Sequence, residues 1–207
     1  MKFPYTVGYG MTECGPAIAF DHWQTFRPTS CGKAVDRMEI RIDSSDPFNQ
    51  VGEILTKGMN VMDGYYNNPE ASNTVLSPDG WLHTGDLGVL DPDGYLYIKG
   101  RSKSLILGPS GQNIYPEEIE DLLNAQPYIA ESLVIEREGK LVALVYPDAE
   151  AMKQNKISRE TLLKIIHETR KQINQQLPAY SQIARIEIHD EEFEKTPKRS
   201  IKRFLYQ

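Results

Sequence analysis

The chain has 207 residues, 40% of them apolar and 25% charged, enough for one large or two small soluble domains with a proper core. Its 23 Lys+Arg against 29 Asp+Glu give a net charge of −6, which excludes a molecule steered as a whole to a nucleic-acid backbone. No apolar run approaches the length of a membrane span, so membrane association is expected to be peripheral at most.

The N-terminus, MKFPYTVGYG, carries no signal-peptide hydrophobic region, and the cytoplasm is the expected compartment. Cys14 and Cys31 make no disulfide framework, and His22, His83, His167 and His189 are too scattered to form a metal cluster. Thr6 to Gly15 reads as a loop with no starting element before it, as expected of a fragment of a longer chain.

That loop, TVGYGMTECGP, is punctuated by Gly8, Gly10 and Gly15, which allow close approach of backbone to a ligand. At its centre the Thr12 hydroxyl and the Glu13 carboxylate suit a nucleotide phosphate and its Mg²⁺. Alternation at Met38, Ile40 and Ile42 predicts a half-buried strand over Met38–Asp43, followed by a second over Val51–Gly58. GYYNNPEAS (Gly64–Ser72) reads as a turn or short helix whose tyrosines pack. Leu87–Leu90 and Tyr95–Lys99 flank Asp91-Pro92-Asp93-Gly94, a hairpin turn with Pro and Gly where a turn wants them.

After Gly100-Arg101 helices and strands alternate. Pro116, followed by Glu117 and Glu118, predicts a helix start, with Ile119, Leu122 and Leu123 on its buried face. Ser132–Glu136 and Leu141–Tyr146 form a second hairpin around Glu138-Gly139. Ser158 caps a long helix with Leu162, Ile166, Ile173 and Leu177 at helical spacing, ended by Pro178. Ile183–Ile188 is a last strand, and a basic tail, EKTPKRSIKRFLYQ, closes the chain. A change from mostly β to α+β places a domain boundary at Arg101 to Lys103.

Three patches, the Thr12-Glu13 loop, TGD and the basic tail, call for one chemistry. A carboxylate behind a Gly turn (Asp86) can accept both hydroxyls of a ribose, and Arg101 can add charge-assisted hydrogen bonds. A flexible Lys in the tail could meet negative charge developing on a phosphate. These parts suit reaction at the α-phosphate of ATP. A basic patch for nucleic acid or targeting is the competing reading of the tail.

YGMTE, TGD, GRSKSLI and SGQNIYPEEIE, in this order, resemble the later core motifs of the adenylate-forming superfamily, and specifically its acyl-CoA synthetases. The resemblance implies an α+β chain: the β-rich end of a large adenylation domain in residues 1–100, then a small mobile α+β domain in residues 101–207. It also implies two steps, formation of an acyl-AMP from a carboxylic acid and ATP, then transfer of the acyl group to coenzyme A.

By the same resemblance, Tyr9 matches an adenine-stacking aromatic beside Gly10. Thr12 matches a phosphate contact, Glu13 the Mg²⁺ ligand, Asp86 the ribose-binding acid and Arg101 the Arg that follows it. Lys103 falls at the hinge, and Gly111 at a small residue lining the pantetheine tunnel. His83 is expected to pack. Relatives place the adenylation Lys behind a small residue with an Arg three positions on. Counting back from Arg203 lands on Ser200, so Lys198 and Lys202 are the candidates and Lys202 is the choice.

GYGMTECGP and TPKRSIKRFLY look closer to fatty-acid ligases than to peptide-synthetase modules, which implies a long-chain acid. An aryl or amino acid is the same-fold alternative, and a non-catalytic interaction module the alternative from another class. The superfamily's upstream phosphate loop and acid pocket lie outside this sequence. The expected partners are therefore the carboxylic acid, ATP, coenzyme A and an N-terminal part of the same protein, and the isolated chain is expected to be inactive.

Overall fold

The structure, a computed structural model, describes residues 5–207 and divides into two compact units, Met1–Lys103 and Ser104–Gln207. In the first unit, β1 (Gly8–Gly10), β2 (Ala17–Phe20) and β3 (Lys33–Ala34) form a small antiparallel sheet in that order. A second antiparallel sheet follows chain order: β4 (Met38–Asp43), β5 (Gly52–Gly58), β6 (Leu82–Leu90) and β7 (Leu96–Arg101). Between β5 and β6, Asn68 caps the short helix α1 (Pro69–Val75) by accepting the Ala71 N–H at 3.1 Å.

Local sequence accounts for most of these elements. Met38 and Ile42 are buried and Ile40 half-buried, so the alternation of β4 matches its one packed face. The β6–β7 turn is tied by Gly94 N–H to Asp91 O at 2.9 Å, and Asp91 Oδ1 accepts the Asp93 and Tyr95 N–H groups. Two departures stand out. Thr6–Pro16 is not a loop throughout: it supplies β1, a single 3-10 turn over Thr12–Cys14, and the approach to β2. Glycines carry almost no strand signal, so only the pairing of Tyr9 with Ala19 reveals the strand. The Gly turn at Thr84-Gly85-Asp86 is a bulge inside β6, not the end of a strand.

The first unit's core has two adjoining clusters. Cys14, Ile18, Met38 and Leu82 form one, and Ala19, Ile42, Ile54 and Leu96 the other, with Tyr9 and Ile40 packed against both. Tyr9 is therefore fixed by packing before its hydroxyl is considered.

The second unit opens with a two-stranded ribbon, β8 (Ile106–Leu107) and β9 (Asn113–Ile114), then α2 (Pro116–Asn124) with Pro116 in its first turn. Its main sheet has the order β10 (Ile129–Arg137), β11 (Lys140–Pro147), β12 (Ile183–Ile188). β10 and β11 are an antiparallel hairpin, and β12 returns parallel to β11 after α3 (Ala149–Gln154) and α4 (Arg159–Asn174). Ser158 Oγ accepts the Thr161 N–H at 3.1 Å at the start of α4, as its sequence predicts. The helix stops at Asn174, before Leu177, and α3 has no counterpart in the sequence reading.

This sheet is buried on both faces, which explains its near-continuous apolar strands. Val134, Ala143 and Val145 face Ile119 and Leu123 of α2 and Leu162, Ile166 and Ile173 of α4. Leu133, Ile135, Val142 and Leu144 face the other way and are covered by Phe193, with Ile201 and Tyr206 beside it. The basic tail is thus one wall of the core. Full burial of a Leu such as Leu133 or Leu162 stabilises by about 1.5–3 kcal/mol. Among the described residues, no helix is long and apolar enough to cross a membrane.

Candidate functional site

A polar constellation in the first unit surrounds Asp86, whose side chain is 12% exposed. Its Oδ2 accepts the Tyr9 hydroxyl at 2.7 Å and its Oδ1 accepts Arg101 Nε at 2.7 Å. Tyr9 and Asp86 are brought together from β1 and β6, and Arg101 faces Asp86 directly across the β6–β7 ladder. Burial, and then the Asp86 carboxylate that its hydroxyl donates to, push the Tyr9 phenol far above its ordinary range. Tyr9 therefore stays a donor at any physiological pH, and the carboxylate is oriented from both sides.

Thr12 and Glu13 sit on the 3-10 turn that leaves β1, closed by Gly15 in the left-handed conformation. Gly10 precedes this turn where the chain is tightest: a Cβ there would run into the Pro16 carbonyl. Glu13 Oε1 accepts the Tyr65 hydroxyl at 2.9 Å, and its backbone carbonyl accepts the Met62 N–H. The tyrosine is pushed up by burial and then by Glu13. Among the described residues no group of three or more His, Cys, Asp or Glu forms a metal cage. A lone carboxylate such as Glu13 fits Mg²⁺, which is held by one or two carboxylates together with phosphate oxygens and water. Cys14, beside it, is pushed up to about 11 by burial and then by Glu13, so its thiol is inert at neutral pH.

The remaining candidates belong to other places. Lys103 lies in a 3-10 turn over Ser102–Ser104, at the sequence position where the first unit ends. Gly111 occupies the β8–β9 turn of the second unit with φ +81, and a Cβ there would meet nothing within 4 Å. Within this unit it is backbone conformation, not space, that asks for glycine. The same turn borders a cavity of about 460 Å³ lined by Ile106, Pro109, Gln112, Lys140 and Tyr180.

Residues 103–206 match the family model of the AMP-binding enzyme C-terminal domain, and residues 2–66 match that of the AMP-binding enzyme. The chain belongs to the AMP-binding enzymes. It is 37% identical over 172 residues to 4-coumarate-CoA ligase 2 of Narcissus pseudonarcissus, covering 76% of this chain and 30% of that protein. It is 40% identical over 129 residues to a long-chain-fatty-acid–CoA ligase of Escherichia coli, covering 60% and 23%. Among solved structures it resembles O-succinylbenzoate coenzyme A synthetase of Bacillus subtilis with ATP and magnesium ion, at TM-score 0.78 and 30% identity, over 98% of this chain and 41% of that one. The chain thus spans well under half the length of each of these relatives.

In this chain the lysine-bearing tail is a tight turn on a clamped base. Lys195 bridges Ile201, and Thr196 N–H donates to Ser200 O at 2.8 Å, leaving Lys198, Arg199 and Ser200 exposed at the tip. Lys202 Nζ pairs with Glu194 Oε2 at 3.0 Å, and no partner of Lys198 is found among the described residues. Below them Arg203 forms a close pair with Glu120 Oε2, lies 3.5 Å from Glu117, and donates to Val134 O at 3.3 Å. Glu120 Oε1 accepts the Val134 N–H at 2.6 Å. Burial pushes Glu120 up to about 7 against the pull of Arg203 and of that N–H.

Sequence reasoning missed Tyr65 on Glu13, the Glu120–Arg203 clamp, and Glu53. Glu53 accepts from Gly85 N–H and pairs with His83 Nδ1, both at 2.9 Å. The acids in GEI and PEEIE were visible, but their partners lie in other elements.

Proposed function

We propose that this chain is the C-terminal part of an ATP-dependent acid–CoA ligase. The observation that carries the reading is the Asp86 carboxylate held between Tyr9 and Arg101, in a chain whose family binds AMP. Asp86 takes the ribose hydroxyls, with Arg101 beside it and Tyr9 and Gly10 against the base. Thr12 contacts phosphate. Glu13 holds Mg²⁺, which supplies charge neutralisation to the phosphates when bound.

The substrate carboxylate oxygen attacks the α-phosphorus, the bond to the bridging oxygen breaks, and pyrophosphate leaves. The thiol of coenzyme A, giving up its proton to solvent, then adds to the acyl carbon, and AMP departs with the electron pair of the bond between that carbon and the phosphate oxygen. Activation is needed because a carboxylate is a poor electrophile, and AMP is a far better leaving group than oxide. Lys202 meets the charge developing at the α-phosphate, with Lys198 as the competing candidate. The small domain turns about Lys103 and brings Gly111 to the thiol path. Free Cys14 and Cys31 fit a reducing, cytoplasmic setting.

For the acid we propose a long-chain fatty acid, supported by the 40% identity to the E. coli enzyme of that name. An aryl acid is the second reading, favoured by the similarity to the coumarate ligase and to the succinylbenzoate synthetase. Acid-dependent pyrophosphate exchange tests both, with palmitate, coumarate and succinylbenzoate offered to the longer protein that carries this chain. Exchange with palmitate is expected, and exchange with the aryl acids alone would replace the fatty-acid reading. The isolated chain should show none; turnover by it would overturn its reading as a part. In the longer protein, Lys202→Ala should lower exchange about 100-fold. Loss in Lys198→Ala instead would move the role to the turn's tip.

A further inference from the structure

We propose that Glu53 is a positioning residue for Asp86, acting through the backbone of the β6 bulge; the inference rests on the reading of Asp86 as the acceptor of the ribose hydroxyls. In the β5–β6 ladder Glu53 faces Leu87 and Leu55 faces His83, so Thr84, Gly85 and Asp86 together face the single residue Ile54. Gly85 takes φ +73, a conformation that favours glycine. A bulge of this kind removes ladder hydrogen bonds, and the freed backbone groups need other partners.

Side chains supply them. Glu53 Oε1 accepts the Gly85 N–H at 2.9 Å, and Ser102 Oγ donates to Gly85 O at 3.1 Å. Thr84 Oγ1 donates to Ile54 O at 2.7 Å and accepts the Asp86 N–H at 3.1 Å. The second Glu53 oxygen lies 2.9 Å from His83 Nδ1, so one carboxylate grips the residue before the bulge and the glycine within it. An ionised carboxylate only accepts, which suits the two donors, Gly85 N–H and His83 Nδ1–H. Both flanks of Asp86 are thereby held: Thr84 and Gly85 on one side, the Arg101 ladder pair on the other. The direction of the Asp86 carboxylate, and its reach to Tyr9 and Arg101, follow from a backbone that Glu53 sets. His83 acquires a role as well, steadying Glu53 rather than filling a core.

The test compares dissociation constants for ATP and for dideoxy-ATP, which lacks both ribose hydroxyls, by equilibrium dialysis on the longer protein that carries this chain. Thermal melting accompanies each variant. Unaltered protein should prefer ATP at least about tenfold. Glu53→Ala should erase about tenfold of that preference, by weakening ATP and leaving dideoxy-ATP unchanged. Glu53→Gln should retain most of it, because the amide oxygen still accepts from Gly85 and its NH₂ donates to the other His83 tautomer. An unchanged preference in Glu53→Ala overturns the proposal, and so does an equal loss for both nucleotides, the mark of a merely structural role. If Glu53→Ala does not fold, Glu53→Asp keeps the charge but withdraws it from Gly85. The same loss of preference is then expected, and its absence counts against Glu53. Unaltered protein that binds the two nucleotides equally would instead refute the ribose reading of Asp86, and the positioning role would fall with it.

Discussion

The Asp86 corner and the lysine turn are built on opposite plans. Asp86 is almost buried, both its oxygens are engaged, and side chains hold the backbone that carries it. At the lysine turn the tip is exposed and the base is fixed, by Arg203 set between Glu120 and Glu117, by Lys195 on Glu131 and by Lys202 on Glu194. On the proposed reading Asp86 orients a neutral diol, and such a carboxylate gains from preorganisation, since misdirected lone pairs recover nothing of their desolvation. A cation that meets a transient charge acts over a longer range and needs reach more than direction. The contrast is between a fixed acceptor and a tethered donor.

The largest effect should come from breaking the tether. Glu120→Ala leaves Arg203 without its close partner and Val134 N–H unpaired, and should cost about 3–5 kcal/mol in urea unfolding of the second unit. A loss below about 1 kcal/mol would show that Phe193 and Tyr206 hold the tail by packing alone, and would dissolve the clamp.

A pH series sharpens the same point. Glu120 rises from its ordinary 4.5 to about 7 in the folded protein, so folding takes up a proton between those values. The stability this group contributes is full below about 4.5 and is lost as pH rises through 7. The expected decline is on the order of 3 kcal/mol, read as the difference between unaltered protein and Glu120→Gln. Carboxylates held low by ion pairs, such as Asp190 beside Arg159, act in the opposite sense and cancel in that difference. A flat difference curve would mean that Glu120 titrates as an exposed acid does.

The smallest effect concerns the fixed acceptor. Asp86→Asn keeps shape and removes charge, and ATP affinity should fall at least about tenfold, from weakened charge-assisted hydrogen bonds worth roughly 1.5–3 kcal/mol each. Unchanged affinity by equilibrium dialysis would remove Asp86 from the nucleotide site and leave the comparison without its first half.

Both plans were only half legible beforehand. Asp86 and Arg101 stand out because a Gly precedes each and a β hairpin separates the two, but the turn at Asp91–Gly94 alone would set Asp86 opposite Gly100, and only a register shift between Leu87 and Gly88 brings Arg101 there. Tyr65 was read as packing, yet its hydroxyl meets Glu13, because nothing in GYYNNPEAS reports what lies 52 residues upstream. The tail read as a charge run. Phe193 just before it, and Ile201 and Tyr206 within it, have no clear period, and only the second face of the sheet reveals why they are there.

Elements whose cause is local could be read from the residues alone. These are the alternation of Met38–Asp43, the proline start of α2, the Ser158 cap, the β6–β7 turn, and the motifs that mark an AMP-binding enzyme. That Glu53 meets Gly85, 32 residues away, and Arg203 meets Glu120, 83 residues away, emerges only in the packed chain. Backbone propensity and capping act over a few residues. Strand register and sheet burial are collective: a slip of one position in β5 would turn Glu53 to the opposite face, away from the bulge it holds.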